Sequence, residues 1–231
     1  MTALKTKIPR TWRYIAAFVA FMALLLVSDI LRWLASPDSP WWMQSPAYWI
    51  MPLQAILCGW ILWLFRDTYR LRAPKQLIFT TFIGILVFII WVAPQAFLGF
   101  DPRTDGFQVD EVTSNTGLQL LLLSLRFIRL VIVVPFLEEL FWRGFLLRYF
   151  VNDHFWKVAV GRTNAFGFVA VTILFALAHS EADRPAALLT SALYNIVFLK
   201  TRSVASCILA HAITNLALGI YIMVTKQWGF W

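Results

Sequence analysis

The sequence predicts an all-α, polytopic membrane helix bundle of about seven to eight transmembrane helices. Three observations carry that prediction. The 231 residues are 60% hydrophobic and only 14% charged, with mean hydropathy +0.70, whereas a soluble domain carries nearer a quarter charged residues. Apolar segments of ~20 residues, the length that spans a bilayer core, follow one another along the whole chain. Lys and Arg gather in the short loops between them, as on the cytoplasmic side of membrane proteins. Helices are the reading because an open strand leaves its backbone groups unsatisfied in lipid. The alternating ten-residue segments of a membrane barrel are absent.

The first apolar segment runs from about Trp12 to Leu34. Its basic flank superficially resembles a signal peptide, but the run is long and no small-residue cleavage site follows it, so a retained helix is expected. A Pro- and Trp-bearing loop (SPDSPWWMQSP) then suits a membrane interface. The second segment covers roughly Ala47 to Phe65 and ends in the basic loop RDTYRLRAPK. The third covers Gln76 to Leu98 and ends in the acidic, turn-rich GFDPRTDGFQVDEVTSN. From Leu118 to Phe150 the chain is apolar for 33 residues, ~50 Å as helix. That is too long for one crossing, and Pro135 is expected to kink it or divide it in two. After a polar connection, segments at Ala165–His179, Ala186–Leu199 and Ser203–Val224 complete the count. No repeat or soluble domain is evident. The chain reads as one integral-membrane domain over 1–231, with three motif-free helices in 1–98 and a core at 118–224.

The formal charge of +8 does not point to nucleic acid, because no basic face is interleaved with exposed aromatics. Cys58 and Cys207 both fall in apolar helices, where free Cys behaves as a small hydrophobe, and no disulfide framework is implied. With seven spans, the basic loops at 5–13, 66–75 and 157–162 and the pair Lys200 and Arg202 share the cytoplasmic side. The loops at 35–46 and 99–117 face outward with the C-terminus.

Polar residues inside the apolar segments mark the candidate site. Glu138 and Glu139 sit side by side in VVPFLEELFWRGF. A charge at membrane depth costs roughly 2.5–3.5 kcal/mol on insertion scales, so it has a partner or a task. Arg143, four residues after Glu139, shares its helix face. Glu138 is turned ~100° away and is left to accept a proton as a general base. A helix-end charge cluster is the plainer account. His179, near the end of its segment with Phe175 one turn earlier, fits either a capping role or chemistry. His211 and Asn215, four apart on one face, fit either helix–helix bonding or hydrogen bonds to a developing oxyanion. One difficulty stands: seven straight spans put Glu138 near the inner side and His179 near the outer side. The two meet only if a helix is broken, tilted or re-entrant.

Taken in order, Glu138-Glu139-x-x-x-Arg143, Phe175-x-x-x-His179 and His211-x-x-x-Asn215 resemble the motifs of the CAAX-processing and bacteriocin-processing (CPBP, or ABI) intramembrane proteases, over roughly residues 118–224. The resemblance implies an endopeptidase acting on a membrane-associated protein or peptide, near its C-terminus. It implies that Glu138 activates water with help from His179, that His211 and Asn215 bind the oxyanion, and that Glu139 and Arg143 brace the helix, with Phe175 in support. A water activated without an obligatory metal is favoured, so no cofactor is required. Zinc held by Glu138, His179 and His211 is the alternative. Arg126 and Arg129, three apart, are accounted for by snorkelling, or one of them contacts a substrate carboxylate. Partners are then the substrate and the lipid bilayer, with no nucleic acid. The compact chain and short loops point to a bacterial cytoplasmic (inner) membrane, with the N-terminus cytoplasmic. Two competing readings are a non-proteolytic binding or bacteriocin-immunity factor of the same family, and a transporter using Glu138 as a proton relay. The absence of an inverted repeat counts against the transporter.

Overall fold

The structure is a computed structural model that describes residues 8–230. Lys5 and Lys7 of the expected basic flank, and Trp231, lie outside the described residues. Seven long helices form the bundle: α1 (Arg10–Leu34), α2 (Ala47–Tyr69), α3 (Leu77–Phe97), α4 (Thr116–Tyr149), α5 (Ala165–Leu177), α6 (Arg184–Thr201) and α7 (Val204–Thr225). A single turn at Trp41–Gln44 and short 3₁₀ turns fill the loops. Among the described residues there is no strand.

Local chemistry sets the boundaries. Asn115, Asn164 and Ser203 cap α4, α5 and α7 by accepting from the backbone N–H three residues on, at 3.0, 2.7 and 3.2 Å. Pro185 opens α6, where a missing N–H costs nothing. Each predicted segment corresponds to one helix, with ends within four residues. Of the two outcomes open at Pro135, a kink or a division, the division does not occur. α4 is one helix of 34 residues, and it absorbs the proline by passing into i→i−5 bonding at Arg129–Val133, then again at Leu140–Leu146.

Five helices (α1, α2, α3, α4 and α7) are long and apolar enough to cross a bilayer, and the chain is an integral membrane protein. The other two fall outside that class. α5 has only 13 residues, about 20 Å of helix. α6 carries Thr190, Ser191 and Asn195, all buried. Its polar groups face other helices instead of lipid, which is how polar residues are accommodated inside a bundle. The lipid-facing surface is apolar: Ile78, Trp33 and Val224 are among the most exposed side chains.

Tertiary contacts sort the loops onto two ends. At one end Gln76 Nε2 donates to Lys200 O (3.2 Å), the Lys75 N–H to Ser206 Oγ (2.8 Å) and Tyr14 OH to Thr68 O (3.4 Å). At the other, Arg103 pairs with Asp183 at 2.7 Å, and Tyr48 OH donates to Glu111 at 3.1 Å. Between them α3 and α7 pack closely at Gly84. A Cβ there would come within 2.7 Å of Ala210 O, and Thr214 Oγ1 donates to Gly84 O at 2.7 Å. The main core gathers Leu147, Phe155, Phe175, Tyr194 and Phe198. Cys58 and Cys207 are free and buried.

Candidate active site

Glu138 and Glu139 point different ways from α4, as neighbours on a helix must. Glu139 is fully buried. Its Oε1 accepts from Arg143 Nη1 at 3.1 Å, the i, i+4 contact that the spacing predicts. The same oxygen lies 3.0 Å from His211 Nδ1 on α7. Arg143 is also fully buried and donates further, from Nε to Asn195 Oδ1 (3.1 Å) and from Nη2 to Ser191 O and Oγ (3.0 and 3.1 Å). Its Cζ lies 5.2 Å from the Phe175 ring centre and 5.5 Å from that of Tyr194. Arg143 therefore joins α4 to α6, and Glu139 extends the junction to α7.

Ser191 and Asn195 escape the sequence reading, which treats their segment as a plain span. The available signal was four amide or hydroxyl side chains in LLTSALYNIVF, since such groups inside an apolar helix commonly bond to another helix.

Glu138 is half-buried and faces a cavity of about 140 Å³ whose walls include His179, His211, Asn215, Tyr194 and Trp91. Its Oε2 is buried and has no hydrogen-bond partner in the protein. Glu139 does not line this cavity.

His179 follows the last turn of α5. Its Nδ1 lies 2.7 Å from Phe175 O. A carbonyl only accepts, so Nδ1 carries the hydrogen, and the neutral ring keeps Nε2 as its acceptor. The ring packs between Phe175 (centroids 4.7 Å apart) and Trp91 (5.7 Å). Trp91 is itself fixed by an Nε1 bond to Thr190 Oγ1 at 2.8 Å. Phe175 thus sets both the tautomer and the orientation of His179.

Asn215 is placed by a backbone irregularity. The Val134 N–H bonds Arg129 O in the i→i−5 pattern. The next bond of that series would run from residue 135 to Leu130 O, but Pro135 has no N–H. Asn215 Nδ2 fills the vacancy, donating to Leu130 O at 2.8 Å. One amide hydrogen is spent on this bond and the other is left over, beside the cavity.

Helix length removes the difficulty over depth. At 1.5 Å per residue from the Lys- and Arg-rich end, His211 lies about 10 Å in, Asn215 and Glu138 about 16–17 Å, and His179, at the end of the short α5, about 20 Å. All four meet near mid-depth because α5 stops there.

Glu138, His179 and His211 do not fit a zinc site. Among the described residues no three His, Cys, Asp or Glu side chains converge on one point. Arg126 and Arg129 do not line the Glu138 cavity. They line a separate cavity of about 480 Å³ against α1 and α2, where Arg129 Nε donates to Gln54 Oε1 at 2.8 Å and Arg126 Nη1 lies 2.7 Å from Met51 Sδ.

Residues 119–217, the stretch from α4 to α7 that builds this site, match a family model described as type II CAAX prenyl endopeptidase Rce1-like. No curated protein and no solved structure matches the chain.

Proposed function

Starting from a chain whose residues 119–217 match the family model of Rce1-like, type II CAAX prenyl endopeptidases, we propose that it hydrolyses a peptide bond near the C-terminus of a membrane-associated substrate, with water activated by Glu138. One observation carries the reading. Of two adjacent carboxylates, Glu139 binds Arg143 and His211 through Oε1 and lies outside the cavity, while Glu138 forms no ion pair among the described residues and lines a cavity that also holds two imidazoles and an amide.

The steps follow from those atoms. A water held between Glu138 and Nε2 of His179 loses a proton to the Glu138 carboxylate, and its oxygen attacks the scissile carbonyl carbon. The carbonyl oxygen takes up the electron pair. It is received by the remaining Nδ2 hydrogen of Asn215 and by Nε2–H of His211. Because the neutral His211 ring places its one hydrogen on Nδ1, facing Glu139, only the doubly protonated ring offers that second donor. Glu139 therefore orients His211 and is placed to stabilise its doubly protonated form. As the C–N bond breaks, Glu138 returns its proton to the departing amine.

His211→Ala is expected to lower kcat by about 10²–10³, the usual effect of deleting an oxyanion donor. Prolonged chelation is expected to leave activity in place, with well under one zinc per chain. Stoichiometric zinc, lost in both His179→Ala and His211→Ala, would overturn the metal-free mechanism. The function itself is tested by comparing membrane proteomes of cells carrying the wild-type chain or Glu138→Gln. A C-terminally uncleaved protein should accumulate in the variant. Indistinguishable proteomes would favour the binding or immunity reading.

The loop sorting supports an orientation as well. Among the described residues one end of the bundle has eleven Lys and Arg against two Asp, and the other has four against eight Asp and Glu. By the positive-inside tendency the first end is cytoplasmic, in a bacterial inner membrane. The chain acts as one domain, with α1–α3 buttressing the catalytic core at 118–224.

A further inference from the structure

The basic end contains two adjoining cavities, of about 270 and 170 Å³, which share Tyr69, Arg70, Leu71, Val160 and Val204. Six cations line them: Arg10, Arg70, Arg72, Lys75, Arg148 and Arg202. No Asp or Glu does. None of the six has a carboxylate within ion-pair distance among the described residues. Arg148 is only 7% exposed. Its guanidinium donates to the carbonyls of Gly144 (2.9 Å) and Val158 (2.6 and 3.0 Å), which hold it in place without neutralising it.

The backbone around the cavities is specialised. Arg70 and Arg202 follow the C-terminal ends of α2 and α6 with φ of +48° and +50°, a left-handed position usually given to glycine or asparagine. Such conformations persist where surrounding structure enforces them, and they cluster at functional sites. Enforcement is visible here. Gly161, itself at φ +88°, lies so close to Arg202 that a Cβ would come within 2.5 Å of its Cγ. Lys75 and Gln76 are tied to Ser206 and Lys200 by the bonds described above. A single cation after each helix would satisfy the helix dipole. That leaves the convergence of the other four, one of them buried, without a purpose.

We propose that this pocket binds a phosphate-bearing anion. Arginine forks match phosphate oxygens. Basic pockets between helices on the cytoplasmic side are suited to anionic lipid headgroups, and free phosphate offers the same chemistry. The pocket shares no lining residue with the Glu138 cavity, so it is independent of the proteolytic reading.

The test measures thermal stability of the full chain in phosphatidylcholine nanodiscs, with and without phosphatidylglycerol, and in neutral detergent with inorganic phosphate. Phosphatidylglycerol is expected to raise Tm by about 5 °C. R70Q/R202Q should remove most of that rise. R66Q/K157Q, which deletes two cations of the same end outside the pocket, should remove little. Stabilisation by millimolar inorganic phosphate alone would identify a free phosphate as the occupant, and stabilisation by the lipid alone would identify a headgroup. If R70Q/R202Q does not fold, R72Q/K75Q removes two lining cations without touching the left-handed positions. No shift with either anion, or an equal loss in pocket and control variants, would overturn the proposal.

Discussion

Glu138→Gln is expected to reduce peptide-bond hydrolysis by about 10²–10⁴, the contribution of a positioned general base, while the protein inserts and folds as before. Glutamine keeps the shape of the side chain but cannot take a proton from water. The fold should be indifferent, because the buried Oε2 of Glu138 has no partner in the protein to lose. Its Tm should stay within a few degrees of wild type. Catalytic side chains often sit at a cost to stability, so a slight rise would be no surprise. Retention of more than a tenth of wild-type turnover by this variant would remove Glu138 from the role of base. The adjacent Glu139→Gln should behave in the opposite manner, with stability falling first, because Glu139 holds Arg143 and His211 together.

Arg143→Ala is expected to have the largest effect on stability. The side chain is wholly enclosed and serves Glu139, Ser191 and Asn195 at once. Removing one partner of a buried pair typically costs about 3–5 kcal/mol, because the remaining charge is stranded. For a chain of this size that corresponds to a fall in Tm of roughly 6–20 °C. Arg143→Lys should recover only part of the loss, since an ammonium keeps the charge but not the fork that reaches three side chains. Glu139→Gln combined with Arg143→Ala should be more stable than Arg143→Ala alone, because the stranded carboxylate is gone. If unfolding in detergent shows the double variant to be no better than the single one, the two residues are not energetically coupled.

Local spacing made part of this molecule legible from its sequence. Seven helices follow from apolar length and the polar loops between the segments. The contact of Glu139 with Arg143 follows from four residues on one helix, and the divergence of Glu138 from the turn angle. The link from Glu139 to His211 spans 72 residues, and nothing in either segment announces it. The same holds for Arg143 with Ser191 and Asn195, and for Asn215 with Leu130. These contacts depend on how helices are rotated against one another, and periodicity does not fix rotation. Pro135 was readable as a disturbance but not as what it is, the cause of an unfilled carbonyl that Asn215 occupies. The depth of His179 was obscured because an apolar segment of spanning composition need not have spanning length.

The i→i−5 stretch at Arg129–Val133 has a consequence for how this protein tolerates change. Such a turn holds one residue more than an α-turn while turning through nearly the same angle, so the helix carries an extra residue between Arg126 and Glu138 without losing its phase. Ile132, at its centre, is 52% exposed, toward lipid, and exchanging it for another apolar residue should pass unnoticed. Losing its codon should disturb the site far less than losing one elsewhere in α4. The stretch would close into regular α-helix with Glu138 still facing its cavity and Glu139 still facing Arg143's partners on α6, and the cost would fall on Pro135, set against a regular helical turn. The same loss in a regular part of the helix would swing everything beyond it by about 100°. The site would keep every side chain and lose its timing along the helix.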